Sequence, residues 1–491
     1  MTHSGSFWHP ESLRSAAGGG RWLRRPLDET VARAAEMQGL STDSRTVGRG
    51  QVFLALRGER FDGHDHLDDA VQRGAAMLIV QRPPADMNPW PTDLHLLLVE
   101  DTLKSLSRLA SAYRRRLGAA KFIAITGSTG KTTTKQMLLA VLSQRFRVSG
   151  SPRSFNNHIG VPLTLLAAGP RDQYVVCEVG TNHPGEIADL TAVIEPDIAI
   201  ITSIGRVHLE GLGTIEGVAT EKAALLGSLS QGGWAAVCID EPAILPHIEP
   251  MQRGITFGFS TDANLRLCEC AVTGAGTTFT LNDHTRWRLP LYGTHHASNA
   301  TAAIAVGRRC GLTDAEIQAG LLKVEAPEMR FVRHRLGKLE LFDDSYNANP
   351  ESMKASILTF RQLTADEGGR CVVILGDMLE LGELGEEAHA EAAEELLDET
   401  QGIAPPQLAI LVGPLMGKTA QALRQDGRVH VRHLAHLDEA ALGDLIELLY
   451  ESDHVLVKGS RGMRLERIVQ AIRERFTPAR STAAPASSSR P

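Results

Sequence analysis

The sequence predicts an α/β protein of three domains built on parallel sheets, and three observations carry that prediction. The chain has 491 residues, more than one hydrophobic core supports and enough for about three domains of ordinary size. Short continuous runs of Val, Ile, Leu and Ala alternate with loops and helix-like segments, the pattern of strands buried on both faces. One such run, KFIAITGSTGKTTTK at residues 121–135, passes directly from strand to glycine turn to helix start.

Composition narrows the class. Apolar residues make up 43% and charged residues 22%, ordinary for a soluble globular enzyme. Net charge is −7, from 51 basic and 58 acidic residues, so no overall basic field favours nucleic acid or an anionic membrane. No apolar run approaches the roughly 20 residues of a membrane span. The N-terminus MTHSGSFWHPESLRSAAGGG lacks a basic stretch followed by an apolar one, so export is not expected and a cytoplasmic location is. The six cysteines at 177, 238, 268, 270, 310 and 371 are scattered. Cys268-Glu-Cys270 has no second pair to complete a zinc site, so reduced packing cysteines are expected.

In chain order, STDSRTVGRGQVFLALRGERFDGHDHL alternates turn signals with short apolar runs, and AVQRGAAMLIVQ reads as a helix followed by a strand. A helix with a basic end is expected from Thr102 to Leu117. Residues 1–117 are expected to form the first domain. Strands are expected at Phe122–Thr126, Tyr174–Val179, Asp197–Thr202 and Trp234–Ile239, in a central domain spanning 118–326. Glu325-Ala-Pro327-Glu reads as a hinge into a third domain, 327–476. Its strands are expected near Leu339–Phe342, Cys371–Leu375, Leu408–Val412 and His454–Val457. The tail 477–491, TPARSTAAPASSSRP, has nothing to bury and is expected to be disordered.

The glycine turn carries the chemistry. In Gly127-Ser128-Thr129-Gly130-Lys131-Thr132 the glycines allow a tight turn, so N–H groups converge on an anion at the positive end of the following helix. Lys131 adds a mobile cation for terminal phosphates, and the Thr132 hydroxyl can ligate Mg2+. The longer phosphate-loop pattern needs a glycine at the position of Ile125, so the signature here is the shorter GxxGKT. Polar residues recur just past predicted strand ends: Glu178; Ser203 with Gly205 and His208; Asp343 with Asp344; Gly376 with Asp377; and Lys458 with Gly459 and Arg461. Open α/β sheets bind ligands there, and five such positions across two sheets predict a cleft between two domains.

At these residues the chain resembles the Mur ligase family, over about Leu40 to Ile468. The markers are STDSR (41–45), TGSTGKTTTK (126–135), FNNHIGVPLTLL (155–166), EVGTNHPGEI (178–187), HLEGLGTIEGVATEK (208–222), DDSYNANPESM (343–353), LGDMLELG (375–382) and VKGSRGM (457–463). DDSYNANP and LGDMLELG are similar to the branch that adds D-alanyl-D-alanine, and no DNPR-like motif of the sister branch appears. The resemblance implies a central P-loop mononucleotide-binding domain, a Rossmann-like C-terminal domain and a small α/β N-terminal substrate domain. It also implies that ATP and Mg2+ are used to join D-alanyl-D-alanine to UDP-N-acetylmuramoyl-tripeptide through an acyl phosphate; separately, a monomer is expected. An anion must approach a polyanion for that step. Two unit charges at ~4 Å repel by about 4 kcal/mol at an effective dielectric near 20, so the site has to be rich in cations.

Residue roles implied by the resemblance follow. Gly127 to Thr132 with Thr133, and Asn299, Arg330 and Asp344, would meet ATP, with Lys131 on the β/γ-phosphates and Asn299 at the adenine. Thr132, Glu178 and His208 would hold Mg2+, joined by Lys222 in carbamylated form; Lys131, His208 and Lys222 are the expected catalytic set. Thr42, Asp43, Ser44 and Arg45, with Gly63-His64, resemble the loops that hold UDP. Asn156, Asn157, Asn182 and His183 resemble loops on the peptide side. Tyr346 and Asn347 match substrate positions in the last domain, although NANP could equally just encode a tight turn. Lys458 and Arg461 would offer cations to the dipeptide carboxylate. The chain departs from the family at Thr129, where Asn is usual, and at His295-His296, where the family has His-Asn; Thr129 keeps a hydrogen-bonding oxygen, so activity is expected to survive. Two other readings stay open: a sister ligase using another amino acid or a folylpolyglutamate-like substrate, and a non-enzymatic ATP-binding regulator.

Overall fold

The computed structural model describes residues 6–26, 37–59, 61–249, 253–365, 367–400 and 402–477. Apart from Thr477, the tail expected to be disordered lies outside the described residues. Among the described residues there are three sheets, one in each expected α/β unit.

The first sheet has five strands in the spatial order Arg21–Arg24, His95–Leu98, Met77–Val80, Val52–Leu54, Leu40–Ser41. The last four are parallel, and Arg21–Arg24 adds antiparallel to the edge. That edge strand and the helix Pro10–Ala16 give a role to N-terminal residues whose sequence suggested none. Leu13 is fully buried, Ser105 Oγ donates to the Ala17 carbonyl at 3.1 Å, and Phe7, Trp8 and Tyr113 cluster ring to ring. The helix Thr102–Arg116 is capped by Asp101, whose carboxylate accepts from Lys104 N–H, and its three terminal arginines suit the negative end of the helix dipole. Arg114 donates to the carbonyls of Ile194 and Glu195 at 2.7 and 2.6 Å and covers the Phe122 ring, docking this helix on the second unit.

The second sheet has nine strands. Its parallel part runs Gly254–Gly258, Trp234–Cys238, Ile198–Ile201, Lys121–Thr126, Tyr174–Glu178, Val148–Gly150. Alternate side chains of the central strand enter different cores: Phe122 and Ala124 on one face, Ile123 and Ile125 on the other, all fully buried. Each fully buried side chain of this size is worth about 1.5–3 kcal/mol, so a strand covered on both faces is apolar throughout. Beyond Gly254–Gly258, the strands Leu265–Thr273, Gly276–Leu281 and Arg286–Leu289 extend the sheet, antiparallel to one another.

The third sheet orders Val332–Leu336, Leu339–Asp344, Asp453–Lys458, Arg370–Gly376, Leu408–Val412, His430–Leu434, with only the first strand antiparallel. All six cysteines are free; Cys177 and Cys238 are buried, and burial pushes the Cys238 thiol up to about 12. Among the described residues no helix is long and apolar enough to cross a membrane.

Candidate active site

The carboxyl ends of the second and third sheets enclose a cleft of about 730 Å³, a volume suited to small-molecule substrates. The phosphate loop forms one wall. Gly130 has φ +81°, and a Cβ there would lie 2.2 Å from Asn299 Oδ1, so glycine is required for the loop to pass under Asn299. The loop is pinned to the neighbouring strand end: Ser128 N–H donates to the Ser203 carbonyl, Thr129 N–H to Ser203 Oγ, and Thr202 Oγ1 to the Thr129 carbonyl. Thr129 Oγ1 itself meets Ser203 Oγ at 3.0 Å, so this hydroxyl helps to anchor the loop. The following helix, Lys131–Leu142, has no side-chain cap. Its first N–H groups therefore carry the unmet donor capacity and partial positive charge that suit an anion.

Lys131 folds back to donate to the Gly127 carbonyl at 2.6 Å. Desolvation holds its pKa below the usual lysine range, Arg330 adds to that, and Glu178 opposes it. Cations crowded in a water-poor cleft are what an incoming triphosphate would relieve. Glu178 is buried; its Oε2 accepts from Thr132 Oγ1 at 3.0 Å and Lys135 at 3.3 Å, and its Oε1 accepts from Asn156 Nδ2 at 3.0 Å.

Across the cleft, the third domain contributes Arg330, Asp344, Tyr346, Asn347, Lys458 and Arg461. The Arg330 guanidinium stacks 4.2 Å from the Tyr346 ring centre and that of Arg461 5.7 Å from it. Lys458 is buried and donates to Asp344 Oδ2 at 2.7 Å and to the Asn347 carbonyl, so its charge is already paired within the fold. Asn349 caps the helix Pro350–Thr364 in a reciprocal arrangement with Ser352, which is the turn-building alternative for that asparagine.

Of the residues singled out from sequence, Ser128 to Thr133, Asn156, Asn157, Glu178, Asn182, His208, Asn299, Arg330, Asp344, Tyr346, Asn347, Lys458 and Arg461 line one cleft. Others stand elsewhere. Lys222 is buried behind it, with no ion pair to any described residue; desolvation, then Lys131, push its pKa well below the lysine range. Its neighbour Glu221 is occupied in capping, accepting from Gly185 N–H and Ile187 N–H at 2.7 and 2.9 Å. His183 is exposed beside Glu186. His208 turns Nδ1 to Glu380 Oε2 of the third domain at 2.5 Å. Thr42 to Arg45 lie in the first domain, away from the cleft; Asp43 and Arg45 pair in two hydrogen bonds, and that bonding lowers the Asp43 carboxyl to about 2. His64 has both ring nitrogens engaged inside the fold, with Asp62 and with Gln81 N–H, so it has no nitrogen left for a ligand.

Sequence reading missed three residues at this site. Lys135 stands one turn after Lys131 on the same helix, and that i, i+4 spacing was the available signal. Arg206 donates to Glu391 at 2.8 and 2.6 Å and to Glu351 at 3.2 Å, joining the second and third domains. Glu380 lay inside a marker motif, but only the folded structure pairs it with His208.

Three family models match the chain: "Mur ligase family, catalytic domain" over residues 36–114, "Mur ligase middle domain" over 125–307 and "Mur ligase, glutamate ligase domain" over 329–461. Among curated proteins, the UDP-N-acetylmuramoyl-tripeptide–D-alanyl-D-alanine ligase of Bacillus subtilis is 36% identical, covering 89% of this chain and 93% of its own. The Escherichia coli ligase of the same name is also 36% identical, covering 90% and 95%. Among solved structures, MurF from Acinetobacter baumannii aligns with TM-score 0.82 at 29% identity, covering 95% of this chain and 99% of that one. MurF ligase from Thermotoga maritima in complex with ADP aligns with TM-score 0.75 at 26% identity, covering 90% and 98%. Domain by domain, and over nearly its whole length, the chain belongs to the Mur ligase family.

Proposed function

We propose that this protein is an ATP-dependent ligase that joins D-alanyl-D-alanine to UDP-N-acetylmuramoyl-tripeptide, the last cytoplasmic amino-acid addition in peptidoglycan precursor synthesis, and that it works as a monomer. The observation that carries the reading is the uncapped phosphate-loop helix facing Arg330 across an interdomain cleft. The ligase names of relatives at 36% identity supply the substrates.

The tripeptide carboxylate attacks the γ-phosphorus of ATP, the bond to ADP breaks, and an acyl phosphate forms. The dipeptide amine then attacks the acyl carbon, and the tetrahedral intermediate collapses as phosphate leaves. In this chain the loop and first-turn N–H groups bind the phosphates. Lys131 exchanges its Gly127 carbonyl for phosphate oxygen, whose negative charge favours the ammonium form. Arg330, stacked on Tyr346, approaches from the other domain. Asn156 and Asn157 hold the carboxylate-bearing end of the tripeptide, and Thr42 to Arg45 the UDP. Preorganised cations of this kind account for most of the rate in phosphoryl transfer.

The donor set fits Mg2+. Thr132 Oγ1 and Glu178 Oε2 are hard oxygens 3.0 Å apart, and His208 lines the same cleft. Among the described residues no group of three or more His, Cys, Asp or Glu forms a full cage, as expected of an ion that keeps water and phosphate oxygens. When bound, the metal would neutralise charge between the γ-phosphate and the attacking carboxylate. Lys222, buried and held toward its neutral amine, fits reaction with carbon dioxide to a carbamate that would supply a further oxygen ligand.

A phosphate-release assay tests the reading. Release that requires both the UDP-tripeptide and D-alanyl-D-alanine supports it. Turnover with a single free amino acid would favour a sister ligase, and no turnover a regulator.

A further inference from the structure

Lys135 is a fully buried lysine, absent from the cleft lining that Lys131 joins one turn earlier. Its ammonium donates to two acceptors, Glu178 Oε2 at 3.3 Å and the carbonyl of Arg153, a residue held in left-handed backbone at φ +48°. Glu178 in turn accepts from Asn156, four residues before the helix Gly160–Ala167 begins, while Glu178 N–H donates to Ser151 Oγ. The ammonium thus ties the 151–157 loop to one carboxylate. A buried charge is tolerated only when paired and hydrogen-bonded, and the partner here is the carboxylate assigned above to Mg2+.

We propose that Lys135 is a positioning residue that acts as the resident counter-cation of Glu178. It holds the carboxylate against the 151–157 loop before the metal arrives, and by sharing that carboxylate it keeps the metal weakly held until nucleotide phosphates complete the coordination. This inference rests on Glu178 being a metal ligand. A fixed positive charge beside a cation site lowers affinity by Coulomb repulsion, and removing it raises affinity. A purely structural lysine would change stability and leave metal affinity alone.

The test is Mn2+ binding to the nucleotide-free full chain at fixed pH, read from the free-ion electron paramagnetic resonance signal. Lys135→Gln is expected to bind Mn2+ about tenfold more tightly than wild type, the scale of a nearby unit charge in a partly screened site, and Lys135→Arg to stay near wild type. Glu178→Gln is expected to lose the site. In steady-state assays Lys135→Gln should raise the KM for UDP-tripeptide more than that for ATP, since the tethered loop lies on the peptide side. Lys135→Met, which fills the same space without charge, serves if the glutamine variant does not fold. Unchanged or weaker Mn2+ binding in the neutral variants, with the site lost in Glu178→Gln, overturns the role given to Lys135 and leaves Glu178 as ligand. Wild-type binding in Glu178→Gln overturns the ligand reading and the inference with it.

Discussion

Replacing Arg206 by alanine should loosen the contact between the second and third domains. Arg206 forms ion pairs with Glu351 and Glu391, using three side-chain hydrogen bonds at 3.2, 2.8 and 2.6 Å, with side chains 29%, 38% and 37% exposed. Pairs this accessible are worth at most about 1 kcal/mol each. The two together contribute at most about 2 kcal/mol, a factor of up to about 30 in the closed-to-open ratio. The backbone bond from Arg206 N–H to Glu351 survives the substitution and does not enter that sum. Catalysis needs cations from both domains at once, so kcat/KM should fall by up to about 30-fold. Raising salt from about 0.1 M to about 1 M shortens the screening length from about 10 to about 3 Å, so wild type should lose activity with salt while the variant responds less. Small-angle X-ray scattering with a non-hydrolysable ATP analogue reads the domain equilibrium directly. Unchanged compactness together with an unchanged salt response would refute the reasoning.

Three further expectations concern the cleft. Lys222→Ala should lower turnover by about two to three orders of magnitude, the cost of losing an oriented electrostatic group, with partial rescue by added short carboxylic acids; turnover at the wild-type level removes Lys222 from the site. Gly130→Ala forces a Cβ to within 2.2 Å of Asn299 Oδ1 at φ +81°, which should cost about 1–3 kcal/mol and weaken nucleotide binding; a thermal melt and an ADP titration check both. His295 is held neutral by desolvation, its pKa depressed from 6.5 to about 4, and its Nδ1 is buried without a partner. Between those two values the unfolded chain binds the proton and the folded chain does not, so stability is lost as pH falls from 6.5 toward 4. The loss is at most about 3 kcal/mol, and His295→Phe should flatten the curve of Tm against pH in that window.

What the sequence disclosed follows from which residues had a single physical reading. The central strands were legible because both their faces are covered, which forces continuous runs such as Phe122 to Ile125. The strands Leu265–Thr273 and Val332–Leu336 escaped notice because each has an exposed or half-exposed side and carries polar residues there. The phosphate loop and Glu178 were visible from local order, strand then turn then helix. Lys458 read as a free cation because Asp344, its partner, is 114 positions away. Arg206 and Glu391, 185 positions apart, left no local trace at all. The N-terminal segment, rich in Gly and Arg, offered no motif to read, and only the fold shows Leu13 and Phe7 buried, with Phe7 against Tyr113 of a helix far along the chain.

The central claim is that this cleft phosphorylates a carboxylate before an amine is joined to it. Oxygen tracing tests it directly. With UDP-N-acetylmuramoyl-tripeptide labelled with oxygen-18 in its terminal carboxylate, supplied with ATP, Mg2+ and D-alanyl-D-alanine, one labelled oxygen should leave in each phosphate released, and the ligated product should keep the other. Phosphate released without the label would mean that the carboxylate never attacked ATP, and would contradict the account.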